Sequence, residues 1–269
     1  MKYKKGVVLL FISLLLFTGN NCMSPTGQTV AVIENFTSTW LNRKYHSDAM
    51  QQLLEEHSRE EMVLIRYYVD STSDHPTPRL SCEESEERMK WFMPDKGLPT
   101  SFFNGTDYLK GTPNLEDDSW EGKIKAIKEA YNGKIMEVNA RIPPVSIGAT
   151  CKINETKDNF TIEVSVKAID KVTSSSLQLN IALVESNIAF DAVSSETMHF
   201  QVFREWIKPP EIKDTIGIPI SISKFGDQFD TQFTYHLNSE LYKKDLAIIL
   251  FVQDLNSKAI LQGLEIKLN

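Results

Sequence analysis

The side chains able to do chemistry in this 269-residue chain are few and widely spaced. Three cysteines occur, Cys22, Cys82 and Cys151. No two of them share the close spacing of a zinc site, so no metal is expected through them. His46, His57, His75, His199 and His236 are scattered, and no His-Glu-x-x-His pair occurs among them. Neither a Gly-x-Ser-x-Gly elbow nor a phosphate-cradling Gly-x-x-x-x-Gly-Lys loop is present, so no cofactor is expected. Glu83, Glu84, Glu86 and Glu87 form an acidic cluster, but without the interleaved Asp/Asn/Gly pattern of a calcium loop. They read as a helix start and a solvated face, where acids oppose the positive end of the helix. The remaining concentration of chemistry is Trp40-Leu41-Asn42-Arg43-Lys44, an aromatic beside two cations.

Composition places these residues in a globular, acidic chain. Its hydrophobic fraction is 41%, its charged fraction 24% and its formal net charge −7, which argues against a nucleic-acid partner. The length suits two ordinary domains. Lys2, Lys4 and Lys5 precede a short apolar run over residues 7 to 17, the pattern of a secretory signal. That run is too short to cross a bilayer, which takes about 20 residues. Cys22 follows at the place where a lipoprotein signal is cut and lipidated, although Asn21 stands where Gly, Ala or Ser is usual. The expected arrangement is a signal over residues 1–21, a lipid anchor on Cys22 and a polar tether over 22–29. The membrane is then a partner through that lipid. Export implies an oxidising compartment. Cys82 and Cys151 then either bridge, closing a loop of about 70 residues, or remain as two buried thiols.

The elements that must position the rest divide into two textures. Residues 30–38 read as a buried strand, and Ala49, Met50, Leu53, Leu54 and His57 recur at helical spacing. A second strand is predicted from residue 62 to 69, a loop over 70–78 and a helix from about residue 83. Asn104-Gly105 signals a hairpin turn, and residues 115–132 an amphipathic helix. Alternation of this kind predicts an α/β domain over residues 30–140. Beyond Pro143-Pro144, strands with period-two alternation follow one another to the C-terminus. Leu177, Leu179, Ile181 and Leu183 alternate with Gln178, Asn180 and Ala182, for example. That predicts an all-β antiparallel sandwich over residues 145–269, with Pro219 marking an edge strand.

Several of these stretches resemble one family. Glu34-Asn35-Phe36-Thr37-Ser38-Thr39-Trp40 resembles the entry to the active-site helix of a thioredoxin-type domain, and Leu98-Pro99-Thr100 resembles its cis-proline loop. His199 to Arg204 and the stretch from Phe251-Val252-Gln253 to Gln262 are similar to two sandwich-domain motifs. In this order they resemble the Omp28-related family of bacterial outer-membrane lipoproteins, which joins a thioredoxin-like domain to a β-sandwich. Where members keep Trp-Cys-x-x-Cys, this chain has Leu41 and Lys44, neither able to form a thiolate. The resemblance therefore implies a redox-inactive thioredoxin-like domain and no oxidoreductase activity. It also implies a groove formed by Trp40 and Pro99, with Arg43 and Lys44 favouring an acidic peptide or envelope protein. The functional expectation is a non-catalytic binding or structural lipoprotein. The alternative is a thiol-dependent enzyme or redox-linked chaperone using Cys82 or Cys151.

Overall fold

The computed structural model describes residues 22–41, 43–69, 80–92, 97–113, 117–156, 158–192, 195–237, 241 and 245–268. The expected signal, the loop over 70–78, Asn42, His75 and Leu115 lie outside them. In chain order the first half comprises β1 (Cys22–Met23), β2 (Ala31–Thr37), α1 (Lys44–Glu56), β3 (Met62–Tyr68), α2 (Glu83–Phe92), β4 (Thr100–Phe103), β5 (Asp107–Lys110) and α3 (Trp120–Asn139). The second half is made of strands: β6 (Val145–Ile153), β7 (Asn159–Ala168), β8 (Leu177–Glu185), β9 (Ile188–Ala189) and β10 (Met198–His199). They are followed by β11 (Val202–Trp206), β12 (Ile218–Ile220), β13 (Gln228–His236), β14 (Leu246–Asp254) and β15 (Ile260–Leu268). Among the described residues no helix is long and apolar enough to cross a membrane.

The first half is thioredoxin-like. Its β2 and β3 run parallel, while β4 and β5 add antiparallel on the other side of β2. The Leu98–Pro99 peptide is cis and leads directly into β4. One face of this sheet is covered by α1 and α3, whose Met50, Leu53, Ile127, Tyr131 and Ile135 pack on Ala31, Ile33 and Leu64. The third helix starts later and runs further than its apolar pattern predicts. Ser119 caps it by accepting from Gly122 N, and Ile135 and Val138 extend its buried stripe past residue 132.

The second half is a β-sandwich. One sheet runs β1-β6-β7-β13, and facing it lie β8, β14 and β15. Ile147, Phe160, Ile162 and Val166 from the first sheet meet Leu179, Ile181, Ile248 and Leu250 from the second. Pro219 sits in β12, which pairs with β8 and exposes the proline, as an edge strand requires.

The two halves share a sheet. Val202 of β11 pairs in parallel with Arg66 of β3, while the rest of β11 pairs with β8. The result is one nine-stranded sheet whose main path runs β15-β14-β8-β11-β3-β2-β4-β5. It curls until β15 returns to β2, although four strands separate them along that path. A Cβ on Gly263 would collide with Val32, so glycine is what lets the two strands approach.

Asn104 staples the returning edge. Its side chain accepts from Val32 N at 2.9 Å and donates to Val30 O at 3.1 Å and Ile260 O at 3.2 Å. With Gly105 it holds the left-handed turn between β4 and β5, at φ 44° and 75°. Gln262 does the same for the tether, accepting from Val30 N and donating to the carbonyls of Pro25 and Gln28.

Inside the curl lies a core that belongs to both halves. Phe36, Ile65, Tyr67 and Phe92 pack there with Val184, Phe203, Trp206, Ile249 and Phe251. Gln178 and Asn180 are 2% and 0% exposed. Their alternation with leucines therefore does not separate core from solvent, because β8 is buried on both faces.

Candidate functional site

Leu41 and Lys44, which stand where the resemblance puts a dithiol, lie at the N-terminus of α1, reached from the end of β2. Arg43 occupies the N-cap with φ −139° and ψ 44° and makes no side-chain cap, and the first turn of the helix carries no acid. Arg43 and Lys44 thus place positive charge at the positive end of a helix, which costs tenths of a kcal/mol to about 1. Two neighbours relieve it. Lys44 Nζ pairs with Asp48 Oδ1 at 2.8 Å, one turn along. The other is Glu196, which comes from the second half of the chain.

Glu196 belongs to the hairpin formed by β9 and β10, which is held by pairing of Met198 with Ala189 and His199 with Ile188. Its carboxylate accepts from Ser47 Oγ at 2.6 Å and from Arg66 Nη1 at 3.0 Å. An anion therefore reaches the first turn of α1 after all, at the end where a thiol enzyme of this fold holds its thiolate. Burial alone would raise the Glu196 pKa. The Arg66 charge and hydrogen bond, with the Ser47 hydroxyl, instead hold it below its usual value.

His199 Nε2 donates to the carbonyl of Phe190 at 3.0 Å, leaving Nδ1 to accept from the Tyr68 hydroxyl at 2.8 Å. That tautomer is neutral, and burial lowers the His199 pKa. His46 is also held neutral. Burial first, and then the Arg66 and Arg43 charges, bring its pKa to about 3. It donates to the Tyr131 hydroxyl, which donates to Ser101 Oγ at 2.6 Å.

The geometry leaves little room. Leu41, Arg43, Ser47, Arg66, Pro99 and Glu196 surround a void of about 10 Å³, space for one water. Of the residues singled out in the sequence, Arg43 and Pro99 meet at this void. Trp40 and Lys44 do not line it; Trp40 is half-buried, with an indole N–H that has no partner among the described residues. Lys44 turns to Asp48 and lies 5.9 Å from the centre of the Trp120 ring.

The cysteines are dispersed. None of the three is in a disulfide, so Cys82 and Cys151 do not bridge. Cys82 packs on the core shared by the halves, and Cys151 on the sandwich interior. Burial raises the pKa of both, Cys151 to about 12, which keeps them protonated and poor as nucleophiles. Cys22 opens β1 opposite Ala149, where burial also raises its thiol.

Sequence reasoning missed a second buried ion pair, on the opposite face of the sheet. Arg88 of α2 grips Glu34 of β2 with two bonds, Nε–Oε1 at 2.8 Å and Nη2–Oε2 at 3.0 Å. Tyr67 also donates to Glu34 Oε1, at 3.0 Å, and Gln253 Oε1 accepts from Arg88 Nη2 at 2.9 Å. Asn180 donates to the same oxygen, and Gln253 donates in turn to Lys258 O. Glu34 and Gln253 lie in the stretches that resemble family motifs, which was the available signal. Their role is to tie the halves together. Arg88 stood unremarked in a cluster of glutamates.

No protein-family model matches the chain, and no curated protein does. Among solved structures, HBP35 of Porphyromonas gingivalis matches with a TM-score of 0.63 and 16% identity, over 90% of this chain and 76% of that one. Protein AGR_C_4864 from Agrobacterium tumefaciens matches with a TM-score of 0.55 and 16% identity, over 90% of this chain and 96% of that one. A domain of the outer membrane lipoprotein Omp28 from Porphyromonas gingivalis gives a TM-score of 0.33 and 17% identity, over 48% of this chain and 91% of that one. The first two likenesses show a similar fold, in alignments that span nine-tenths of this chain, in proteins of very different sequence.

Proposed function

We propose that this protein is exported, anchored in the bacterial envelope by a lipid on Cys22, and that its thioredoxin-like half binds a partner without exchanging disulfides. The observation that carries this reading is the acid at the head of α1. Leu41 and Lys44 stand where two thiols would, and the Glu196 carboxylate is bonded to Ser47 one turn into the helix. An outer-membrane location follows from the N-terminal pattern and the sequence resemblance. The partner is an acidic peptide or an acidic segment of an envelope protein. It engages Arg43 and Pro99, with Trp40 and Lys44 flanking, once Glu196 swings out of the void.

Three measurements on the mature protein test this. Mass spectrometry of the membrane fraction is expected to find a lipid-modified Cys22; an unmodified Cys22 removes the anchor. Insulin-disulfide reduction is expected to stay at background, and turnover would overturn the non-catalytic reading. A hexaglutamate peptide is expected to bind Glu196→Gln more tightly than wild type, because the internal competitor is gone. Failure to bind either protein would sink the acidic-partner reading.

A further inference from the structure

A separate cavity of about 310 Å³ opens between α2 and strands of the second half. Glu84, Glu87, Arg88 and Trp91 form one wall, and their spacing puts them on a single helix face. Gln178 of β8 and Trp206 of β11 stand opposite. The volume lies at the small end of ligand cavities, which run about 300–1,000 Å³, and suits one side chain with its own backbone unit.

Two features define what would fit. Arg88 and Gln178 are 3% and 2% exposed, yet Arg88 Nη1 and Gln178 Nε2 have no hydrogen-bond partner. Both are donors, so the buried end calls for an acceptor oxygen. The Arg88 charge is already matched by Glu34; the charges left over on the lining residues are Glu84 and Glu87, while two cations outside the lining, Lys258 and Lys208, donate to the carbonyls of Trp91 and Thr215. Glu86 pairs with Lys90, whereas neither Glu84 nor Glu87 has a cationic partner among the described residues.

A carboxylate ligand would satisfy the donors but meet this excess of negative charge. A neutral carbonyl satisfies them without that cost. A cation on the same ligand then answers Glu84 and Glu87, and an aliphatic stem between the two lies against Trp206 and Ile216.

We propose that this cavity binds a basic side chain of a peptide, its backbone carbonyl on Arg88 and Gln178 and its charge at Glu84 and Glu87. The ligand is thus opposite in charge to the partner of the α1 site, and this proposal does not depend on that one.

The test is calorimetric titration of the mature full-length chain with three probes, N-acetyl-arginine amide, N-acetyl-leucine amide and N-acetyl-glutamate amide. The arginine amide is expected to bind about tenfold more tightly than the leucine amide, with no detectable binding of the glutamate amide. A Glu84→Gln, Glu87→Gln double variant, isosteric at two positions that have no cationic partner among the described residues, is expected to abolish the preference for arginine. Gln178→Leu is expected to weaken the arginine and leucine amides alike. Absence of arginine-amide binding, equal binding of the three probes, or full arginine preference in the double variant would each overturn the proposal. Hexaglutamate binding at the α1 site is untouched by these variants, which keeps the two readings separable.

Discussion

Arg66 and Arg88 are both buried and both held by a carboxylate, on opposite faces of one sheet. Arg88 is gripped at two points by Glu34 from a central strand, with Tyr67 and Gln253 completing the network. Arg66 takes one oxygen of Glu196, whose backbone lies in a short hairpin. The first acid cannot leave without unpacking the core between the halves. The second is expected to leave when the hairpin lifts, as the proposed function requires. A buried ion pair is therefore a structural rivet or a removable stopper according to the element that carries its acid.

The largest expected effect tests the rivet. Glu34→Gln leaves the Arg88 guanidinium buried without a counter-charge, and loss of one partner of such a pair costs about 3–5 kcal/mol. Urea unfolding should report it, and a loss below about 1 kcal/mol would break the contrast between the two pairs. Glu196→Gln should cost less, about 1–3 kcal/mol, with faster amide exchange confined to the β9–β10 hairpin and the start of α1. Exchange spreading through β2 and β14 would make Glu196 a rivet as well.

The same pair gives a pH signature. The folded Glu196 pKa lies below its usual value of 4.5. Its contribution is present above that value and is lost as pH falls through the folded pKa. Glu196→Gln should flatten that part of the wild-type stability curve. His46 sharpens the point. Its folded pKa is about 3 against 6.5 when unperturbed, so the unfolded chain takes up the proton first and stability falls as pH drops below 6.5. By NMR its ring should show no titration near 6.5; a step there would mean that the site is more open than its geometry indicates. The smallest effect is at Lys44, whose partly exposed pair with Asp48 should contribute less than about 0.5 kcal/mol. Lys44→Ala should barely move the urea midpoint, and a large shift would show a cation committed to the site.

Much of the architecture was legible because it is local. The Asn104-Gly105 turn and the edge position of Pro219 follow from the conformations those residues favour, and the cis peptide before Pro99 was implied by the family resemblance. The α1 and α3 stripes were legible from their spacing, although α3 starts and ends later than residues 115–132. What escaped the sequence depends on distant pairing. Nothing near Val202 announces that it will lie beside Arg66, so the sheet common to both halves was hidden. Gln178, Asn180, Gln253 and Gln262 look like solvent-facing polar residues, yet each is buried where strands of the two halves converge. At the candidate site, the absence of thiols was plain from Leu41 and Lys44. The acid beside them was not, because Glu196 is separated from Ser47 by 149 positions.

The Gln262 clamp has a mechanical side. A pull at Cys22 meets the two residue pairs of β1 first. Behind them, Gln262 holds the carbonyls of Pro25 and Gln28 to the C-terminal strand. Load entering at Cys22 therefore passes to β15, and from β15 into the sheet that both halves share. A body hung from a membrane by this tether would carry its load on the sheet that spans both halves.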